Sequence, residues 1–547
     1  MVSFRQTHHG PENVVVEGPM KSRMRSPFYR IFVNSLSMSV STIGTMVLGM
    51  LAIPFIVHYA GLSTYGVWAV LSGAMGYFTL LDFGLRGSFV PQLSMMIAAN
   101  RKTAVRRILS LGILMYPFLG VIFLPIALIV APDIPVWFRI PASQSNLTIQ
   151  SFWWLYAFTF ISRSLGSLVS LTIARQKMSL VGGLNALTSL IYYGTLILFL
   201  SLFHESIMSF IWATYCSWII VTIIYWGLAY SWLDGHVFSN PFALGSTMFR
   251  SLFRFAGWMQ INQISSQINE EADRILIGYF VSMSTVGVYQ IVSRLAYLTR
   301  TLPLSSLGSF LPMISEYHAS GEIGTIRRIY IDANRYLALI TWYIGGVLLA
   351  TEPLIFQAWT RRVFPNADLI LWLLIGTFSI NNLTGIGTTL LKGIGTPRDE
   401  SMYAALGSTL KVCLSLGLAR PFGLVGILFG TFLGSTIGSF YFLYLLFAKH
   451  LHIGWWQGLF RWFIPLFSVF FLSVLSVRFF TRRWINPSIS EMRAVGLLFL
   501  SVALFSGIFL LSLAIIRFFT SADIQRIQKL VSTRAAWKPS AIQGDDQ

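Results

Sequence analysis

Charged side chains are scarce in this sequence of 547 residues. Asp, Glu, Lys and Arg together make up 11% of the chain, whereas a soluble domain has about 25%. Hydrophobic residues account for 55% of the chain, and its mean hydropathy is +0.68. A chain this poor in charge cannot cover its surface with water-soluble groups. The composition therefore excludes an ordinary soluble protein and predicts an integral membrane protein.

Cysteine is almost absent, since the chain has only Cys216 and Cys413, both in apolar segments. No spacing framework supports a disulfide, so both are predicted to be unpaired thiols in the membrane. A Gly-rich phosphate loop and a Gly-x-Ser-x-Gly nucleophile elbow are also missing, and the His residues lack metal-ligand spacing. The sequence therefore predicts no catalytic residues, no metal and no cofactor.

Basic residues outnumber acidic ones, with 39 Lys and Arg against 20 Asp and Glu. Most of them lie in short loops on alternate sides of the apolar segments, so we interpret them by the positive-inside rule and not as a nucleic-acid site. The bias places both termini in the cytoplasm. Residues 1–30 form a polar, basic tail without the apolar core of a signal peptide.

Apolar runs separated by polar breaks predict an all-α integral membrane protein with about fourteen transmembrane helices. The predicted spans are 31–57, 65–97, 108–131, 149–173, 180–203, 206–231, 256–281, 285–314, 336–359, 367–391, 401–418, 421–447, 459–481 and 494–517. The predicted organisation is a tail (1–30), an amino-terminal lobe of helices 1–6 (31–231), a cytoplasmic linker (232–255), a carboxy-terminal lobe of helices 7–12 (256–447), helices 13–14 (459–517) and a cytoplasmic tail (518–547).

An internal repeat appears when the chain is shifted on itself by 221 residues. Ser63–Trp68 then matches Ser284–Tyr289, and Gly87–Ser94 matches Gly308–Ser315. Equivalent spans have the same predicted orientation in the membrane. The repeat therefore predicts two parallel six-helix lobes related by an axis along the membrane normal.

The seventh span is too polar to face lipid on all sides. Its Ile residues form one narrow helical stripe, and polar or charged residues occupy the other faces. One charge near the bilayer centre costs at least ~2.5–3.5 kcal/mol, so this helix must line water or a polar protein interior. The first span has the same pattern in milder form, which predicts a central cavity between the lobes. The predicted lining residues are Asn34, Ser41, Gln263, Gln267 and Asn269.

Ionisable side chains within the spans are candidate functional groups. A cavity rich in Arg suits an anionic ligand, because the guanidinium group matches phosphate oxygens in a bidentate way. Nearby carboxylates could neutralise Arg274, exchange protons or bind a cation, and the residues leave these roles open. For Lys411 and Arg163 we favour structural pairing or snorkelling. The candidates are Arg86, Arg274, Arg294 and Arg300 for an anion, and Asp82, Glu270, Glu271 and Asp273 for ion coupling or gating. Asp82 and Arg86 lie four residues apart on one helix face, so they could equally form a self-neutralised structural pair or a gate.

Several local motifs carry a resemblance to a known family. They are Ala60–Trp68, Leu80–Leu85, Asp273–Phe280 and Gly287–Tyr289. These segments resemble the polysaccharide-exporter family of lipid-linked oligosaccharide flippases, within the multidrug/oligosaccharidyl-lipid/polysaccharide superfamily. The resemblance implies an alternating-access transporter of the bacterial cytoplasmic membrane. It would move an undecaprenyl-pyrophosphate-linked oligosaccharide, such as an O-antigen, capsule or exopolysaccharide repeat unit, to the outer leaflet.

The resemblance also implies residue roles and partners. Cationic cavity residues contact the pyrophosphate in this family, and we carry that role onto Arg274, Arg294 and Arg300, and also onto Arg86. Transport in the family is often coupled to ions, which would be H⁺ or Na⁺. A glycan polymerase or glycosyltransferases of the same pathway are further implied partners.

Three other functions remain as alternatives. A peptidoglycan-precursor flippase has the same fold and number of spans. A multidrug/cation antiporter of the superfamily should have a cavity dominated by carboxylates and aromatics, and the Arg residues argue against it. A membrane glycan polymerase or glycosyltransferase should have a sizeable outer loop or a soluble acidic motif, and neither is found in the sequence.

Overall fold

The structure is a computed structural model that describes residues 27–82, 85–203, 206–241, 246–305, 307, 310–481 and 491–519. Within these ranges the chain is built from α-helices and contains no β-strand. The helices are α1 (Pro27–Tyr59), α2 (Gly61–Phe78), α3 (Leu85–Ala98), α4 (Lys102–Trp137), α5 (Ala142–Ala174), α6 (Met178–Phe203), α7 (Met208–Trp232), α8 (Ser246–Phe280), α9 (Met283–Leu304), α10 (Phe310–Ala319), α11 (Ile323–Thr360), α12 (Ala367–Gly393), α13 (Pro397–Leu445), α14 (Arg461–Thr481) and α15 (Glu491–Ile515).

Every predicted span overlaps a helix of the structure. The second span consists of α2 and α3, the eighth consists of α9 and α10, and α13 covers the eleventh and twelfth. Ten described helical segments are long and apolar enough to cross a membrane, which confirms a multi-pass all-helical protein. The number fourteen stays a prediction, because several of the polar helices do not meet that criterion alone.

Each half of the repeat has an interrupted second span. After α2 the chain forms a 3₁₀ turn at Thr79–Asp82 before α3 begins at Leu85, and α9 ends at Leu304 before α10 begins at Phe310. Pro312 lies in the first turn of α10, where a missing N–H costs no intrahelical hydrogen bond.

The helices pack into two halves with α14 and α15 added to the second. In the amino-terminal half (α1–α7), α1 packs on α6, α4 on α5, and α6 on α7. In the carboxy-terminal half (α8–α13), α13 packs on α8 and α12, while α14 and α15 pack against α11. The halves meet mainly where α2 contacts α8 and α9 and where α3 contacts α8. The boundaries of the predicted lobes stay a prediction.

A tight turn follows the amino-terminal half. Asp234 and Gly235 both have positive φ angles, 52° and 79°, and they lie at the start of the predicted linker (232–255). The ammonium of Lys102 lies 2.6 Å from the carboxylate of Asp234 and ties the start of α4 to this turn. The Lys102 hydrogen bond lowers the pKa of the Asp234 carboxyl from its ordinary value. Helix α8 then begins at Ser246, earlier than the predicted span.

A ladder of glycines brings the two arms of α13 into backbone contact. The helix breaks at Gly423, and Gly426, Gly430, Gly434 and Gly438 then recur every four residues on one face. A Cβ added at Gly430 would lie 2.5 Å from the backbone nitrogen of Ser415 in the other arm. Small residues at this spacing let helices approach closely in a membrane. The ladder therefore sets the arm that carries Lys411 directly against the arm that carries Thr431.

Replacing a glycine of this ladder by a larger residue should destabilise the protein. We expect Gly434→Ala to lower the free energy of unfolding by about 1–3 kcal/mol, because the added methyl group would overlap the backbone of Lys411. Thermal unfolding of the purified protein in detergent measures the change. Gly417→Ala on the same helix is the matched control, since its added Cβ would meet no side chain or other helix of the described chain within 4 Å. Equal melting temperatures for the two variants would refute the tight crossing.

Candidate functional site

The two halves touch through a pair of symmetry-related glycines. A Cβ at Gly66 of α2 would overlap the carbonyl oxygen of Met283, and a Cβ at Gly287 of α9 would overlap the carbonyl oxygen of Leu62. A shift of 221 residues converts Leu62 into Met283 and Gly66 into Gly287. The repeat found in the sequence therefore reappears as a two-fold contact between the halves, at the amino-terminal ends of α2 and α9.

Helix α2 also packs along α8, where it contacts an ion pair. Arg274 lies 2.9 Å from the carboxylate of Glu271, three residues earlier on α8, and both side chains are 15% exposed. The Arg274 guanidinium also approaches the carbonyl oxygen of Ala69 at 3.5 Å. Gly73 of α2 makes room for this pair, because a Cβ there would lie 2.6 Å from the Glu271 carboxylate. Arg274 is thus held between the halves with its charge neutralised.

Asp273 lies on a different side of α8 and forms a closed network inside the carboxy-terminal half. One carboxylate oxygen accepts from the Lys411 ammonium at 3.1 Å and from the Tyr289 hydroxyl at 3.2 Å. The other accepts from the Thr431 hydroxyl at 2.7 Å. The side chains of Lys411 and Asp273 are only 3% and 4% exposed. Lys411 also donates to the backbone carbonyl of Asn269 at 2.8 Å, so the network joins α8, α9 and both arms of α13.

A cavity of about 430 Å³ lies between α1, α8 and α9, and we call it the central cavity. Glu270 and Arg300 are the charged residues of its wall within the described part of the chain. The guanidinium carbon of Arg300 lies 6.0 Å from the ring centre of Phe378, which steadies the cation against an aromatic face. Polar and apolar groups complete the lining, including Thr42, Ile43, Tyr297 and Ser305.

Arg294 reaches a different place from Arg300. Its guanidinium donates to the hydroxyl of Tyr193 on α6 at 3.2 Å and lies against Gly49 of α1. Tyr65 and Tyr192 also lie near enough to interact electrostatically with it. The two arginines are six residues apart on α9, about 120° around a helix, which explains why they do not converge. Arg294 is a cation of the carboxy-terminal half embedded among tyrosines of the amino-terminal half.

The remaining predicted lining residues separate into different environments. Ser41 is buried and donates to the carbonyl of Gly182 on α6 at 2.7 Å, inside the amino-terminal half. Gln267 lies against Gly76 of α2. Gln263 is half-buried and Asn269 is exposed on α8. The side chains of three further candidates lie outside the described part of the structure: Asn34, Asp82 and Arg86.

The partners of Asp273 were not identified by sequence reasoning. Lys411 is 138 residues away along the chain, so no local pattern joins it to Asp273. The sequence favours structural pairing or snorkelling for Lys411, and in the structure Lys411 pairs with Asp273. A lone lysine in an apolar span requires a nearby acid, and the glycine ladder beside it indicates a close neighbouring helix. Together these signals point to a buried pair without identifying which acid is the partner.

Comparison with known sequences gives one family and two relatives. The sequence model of the polysaccharide biosynthesis protein family matches residues 31–318, just over half of the chain. The chain is 21% identical over 413 residues to the probable low-salt glycan biosynthesis flippase Agl15 of Haloferax volcanii, covering 74% of this chain and 81% of that protein. It is 24% identical over 192 residues to the probable flippase AglR of the same organism, where the match spans 35% of this chain and only 40% of AglR.

Solved structures share the fold. The lipid II flippase MurJ in an inward closed conformation superposes with a TM-score of 0.63 at 17% identity, covering 88% of this chain and 100% of that one. An inward-facing multidrug resistance MATE family transporter of the MOP superfamily superposes with a TM-score of 0.57 at 14% identity, covering 75% and 96%. These likenesses agree with the predicted all-helical architecture of two lobes.

Proposed function

Because this chain belongs to the polysaccharide biosynthesis protein family, we propose that it is a flippase that moves a lipid-linked glycan across the membrane. The observation that carries the proposal is the central cavity, which lies between the halves and has Arg300 in its wall. The names of Agl15 and AglR support glycan transport, and the fold shared with MurJ supports a flippase mechanism.

The proposed ligand is an undecaprenyl-pyrophosphate-linked oligosaccharide. Arg300 is the first contact for the pyrophosphate, because it lines the central cavity without a carboxylate partner among the described residues. Arg274 and Arg294 lie at contacts between the halves, so they become available when those contacts separate. An arginine fork matches two phosphate oxygens, which would hold the headgroup while the halves change their relative position.

Coupling to H⁺ or Na⁺ is assigned in this proposal to Glu270 and Glu271. Both carboxylate oxygens of Asp273 already accept hydrogen bonds from Lys411, Tyr289 and Thr431. A further cation there would have to displace the Lys411 ammonium. When an anionic headgroup binds Arg274 in place of Glu271, the Glu271 carboxylate loses its ion-pair partner and can accept a proton or a cation.

The proposed setting is a bacterial cytoplasmic membrane with both termini in the cytoplasm. Glycosyltransferases that build the glycan, and a polymerase that extends it, are the proposed partners of the pathway. A peptidoglycan-precursor flippase is the second candidate, because MurJ is matched over its whole length. The two candidates differ in the glycan that the cavity accepts, so one assay with two substrates separates them.

The test is transbilayer movement in reconstituted vesicles. We expect the wild-type protein to flip fluorescent undecaprenyl-pyrophosphate oligosaccharide faster than lipid II. Arg274→Ala, Arg294→Ala and Arg300→Ala should each lower the initial rate by about 10–100-fold, because a hydrogen bond to a charged group contributes about 1.5–3 kcal/mol. Arg328→Ala, an exposed arginine of α11, is the matched control and should keep the wild-type rate.

Two outcomes would overturn the proposal. Normal flipping by all three arginine variants would refute the proposal that these arginines bind the pyrophosphate. If a folded wild-type protein flips neither substrate, the proposed flippase function is refuted. Faster movement of lipid II than of the oligosaccharide would favour the second candidate.

A further inference from the structure

A second cavity lies among α11, α12 and α14, away from the central cavity. Its volume is about 770 Å³, and it shares no lining residue with the central cavity. It lies near the carboxy-terminal ends of α11 and α14 and the start of α12, which is the predicted outer side of the membrane. Its wall includes Glu352, Asp368, Arg478, Leu475 and Phe479.

Two of its charged residues neutralise each other. Arg478 donates from both terminal nitrogens to the Asp368 carboxylate, one of them at 3.1 Å. Its Nε donates to the carbonyl of Leu349 at 2.8 Å. Three of the five N–H groups of the guanidinium are thereby used, and two remain, one on each edge of the group, for other acceptors. The guanidinium carbon also lies 5.6 Å from the ring centre of Trp372.

Glu352 is the charged residue of this cavity that has no hydrogen-bond or ion-pair partner among the described residues. It is only 7% exposed, it lines the cavity, and its carboxylate makes no hydrogen bond or ion pair within the described part of the chain. Asp368 and Arg478 are near enough to act on it electrostatically, and their charges cancel. The cavity therefore carries one net negative charge when Glu352 is ionised. A buried carboxylate without a partner is costly, so the site favours a ligand that brings a cation.

An apolar crevice adjoins this polar cavity. It has a volume of about 250 Å³ and lies between α14 and α15, with Leu354, Phe480, Leu497, Leu500 and Leu504 in its wall. Thr481 lines both spaces, so the polar cavity and the apolar crevice are neighbours. A bare ion would occupy only a small part of the polar cavity of about 770 Å³, since even a water molecule takes about 30 Å³. The pair of spaces has the size and polarity for an amphiphile.

We propose that this pair of spaces binds an aminophospholipid of the bilayer. The primary ammonium donates to Glu352, the phosphate accepts from one of the remaining N–H groups of Arg478, and an acyl chain lies in the crevice beside Leu500. The net negative charge of the cavity disfavours a lipid without an amine. A quaternary ammonium cannot donate hydrogen bonds to the carboxylate, which separates phosphatidylethanolamine from phosphatidylcholine. The site shares no lining residue with the central cavity and does not depend on the proposed function.

Native mass spectrometry of the purified full-length protein tests the proposal. The probes are phosphatidylethanolamine, phosphatidylcholine and phosphatidylglycerol with identical acyl chains. We expect phosphatidylethanolamine to bind at least tenfold more tightly than the other two. Glu352→Gln, which keeps the shape of the side chain, should abolish that preference. Asp133→Asn, at an exposed carboxylate near the end of α4, is the control and should retain it.

A second variant tests the apolar part independently. Leu500→Trp fills the crevice and should weaken all three lipids while the preference for phosphatidylethanolamine remains. Melting curves identify any variant that fails to fold, and the wild-type comparison of the three lipids is decisive without any variant. Equal affinity for phosphatidylethanolamine and phosphatidylglycerol, or an unchanged preference in a folded Glu352→Gln protein, would overturn the site. No transport is measured, so failure here leaves the flippase proposal unaffected.

Discussion

Replacing Gly66 or Gly287 by alanine is expected to push the two halves apart where α2 meets α9. Each added methyl group would overlap a backbone carbonyl oxygen of the opposite half, and a carbonyl in a helix cannot turn away as a flexible side chain can. Overpacking of this kind costs about 1–3 kcal/mol. A change of about 1–3 kcal/mol shifts a two-state equilibrium about 5–150-fold, here toward the state with separated ends.

Spin labels across this end of the molecule measure the shift. Val136 at the end of α4 and Val363 after α11 are exposed positions for labels, once Cys216 and Cys413 are replaced by serine. Double electron–electron resonance should show a longer distance population in Gly66→Ala and in Gly287→Ala. The two variants should have effects of similar size, because the two contacts are related by the repeat.

Matched controls exist in both halves. Gly194→Ala on α6 and Gly417→Ala on α13 add a methyl group that has no side chain or other helix within 4 Å among the residues the structure describes, so neither should change the distance. An unchanged distance distribution in both interface variants would mean that the glycine contact does not hold the halves together. A change in only one of them would mean that the contact is not two-fold in the membrane.

Breaking the Asp273–Lys411 pair from one side is expected to cause the largest loss of stability. Asp273→Asn leaves the Lys411 ammonium buried without a counter-charge, and Lys411→Met leaves the Asp273 carboxylate in the same condition. Removing one partner of a buried ion pair costs about 3–5 kcal/mol. The double variant should be more stable than Lys411→Met alone, because it contains no unpaired charge. Thermal unfolding in detergent, followed by size-exclusion fluorescence, measures all three.

The exposed Lys102–Asp234 pair serves as a control for this cycle. Water screens that pair, so Asp234→Asn should change the melting temperature little. Wild-type stability of Lys411→Met, or a double variant less stable than both single ones, would contradict a buried pair with a structural role. The proposed ion site is Glu270 and Glu271. These variants of Asp273 and Lys411 therefore measure the structural role of the buried pair and not ion coupling.

Much of the architecture follows from composition and pattern. Lipid cannot satisfy backbone hydrogen bonds, so each long apolar run in such a chain must form a helix, and the predicted spans overlap helices throughout. The internal repeat also accounts for a contact between the two halves. Gly66 and Gly287 occur at equivalent positions because two similar halves, facing each other, make the same contact twice. The residues that resemble a transporter family lie in the same segments.

The sequence did not predict which neighbouring helix each polar residue of α8 contacts. The sequence predicted that α1 and α8 turn their polar faces toward each other across a cavity. In the structure, the polar residues of α8 face three neighbours: Glu271 faces α2, Asp273 faces α13, and Glu270 faces the central cavity. Periodicity identifies a polar face but not the neighbour that covers it.

The sequence by itself determined a membrane-spanning, all-helical chain with a duplicated half, because those properties depend on local composition and on similarity at one offset. Only the tertiary structure decided which charges are paired. Lys411 forms an ion pair with Asp273, and Arg274 forms one with Glu271. Glu352 has no partner among the described residues. Pairing of charges depends on distances between helices that are far apart in the chain, and the energy of a buried charge is set by the nearest opposite charge.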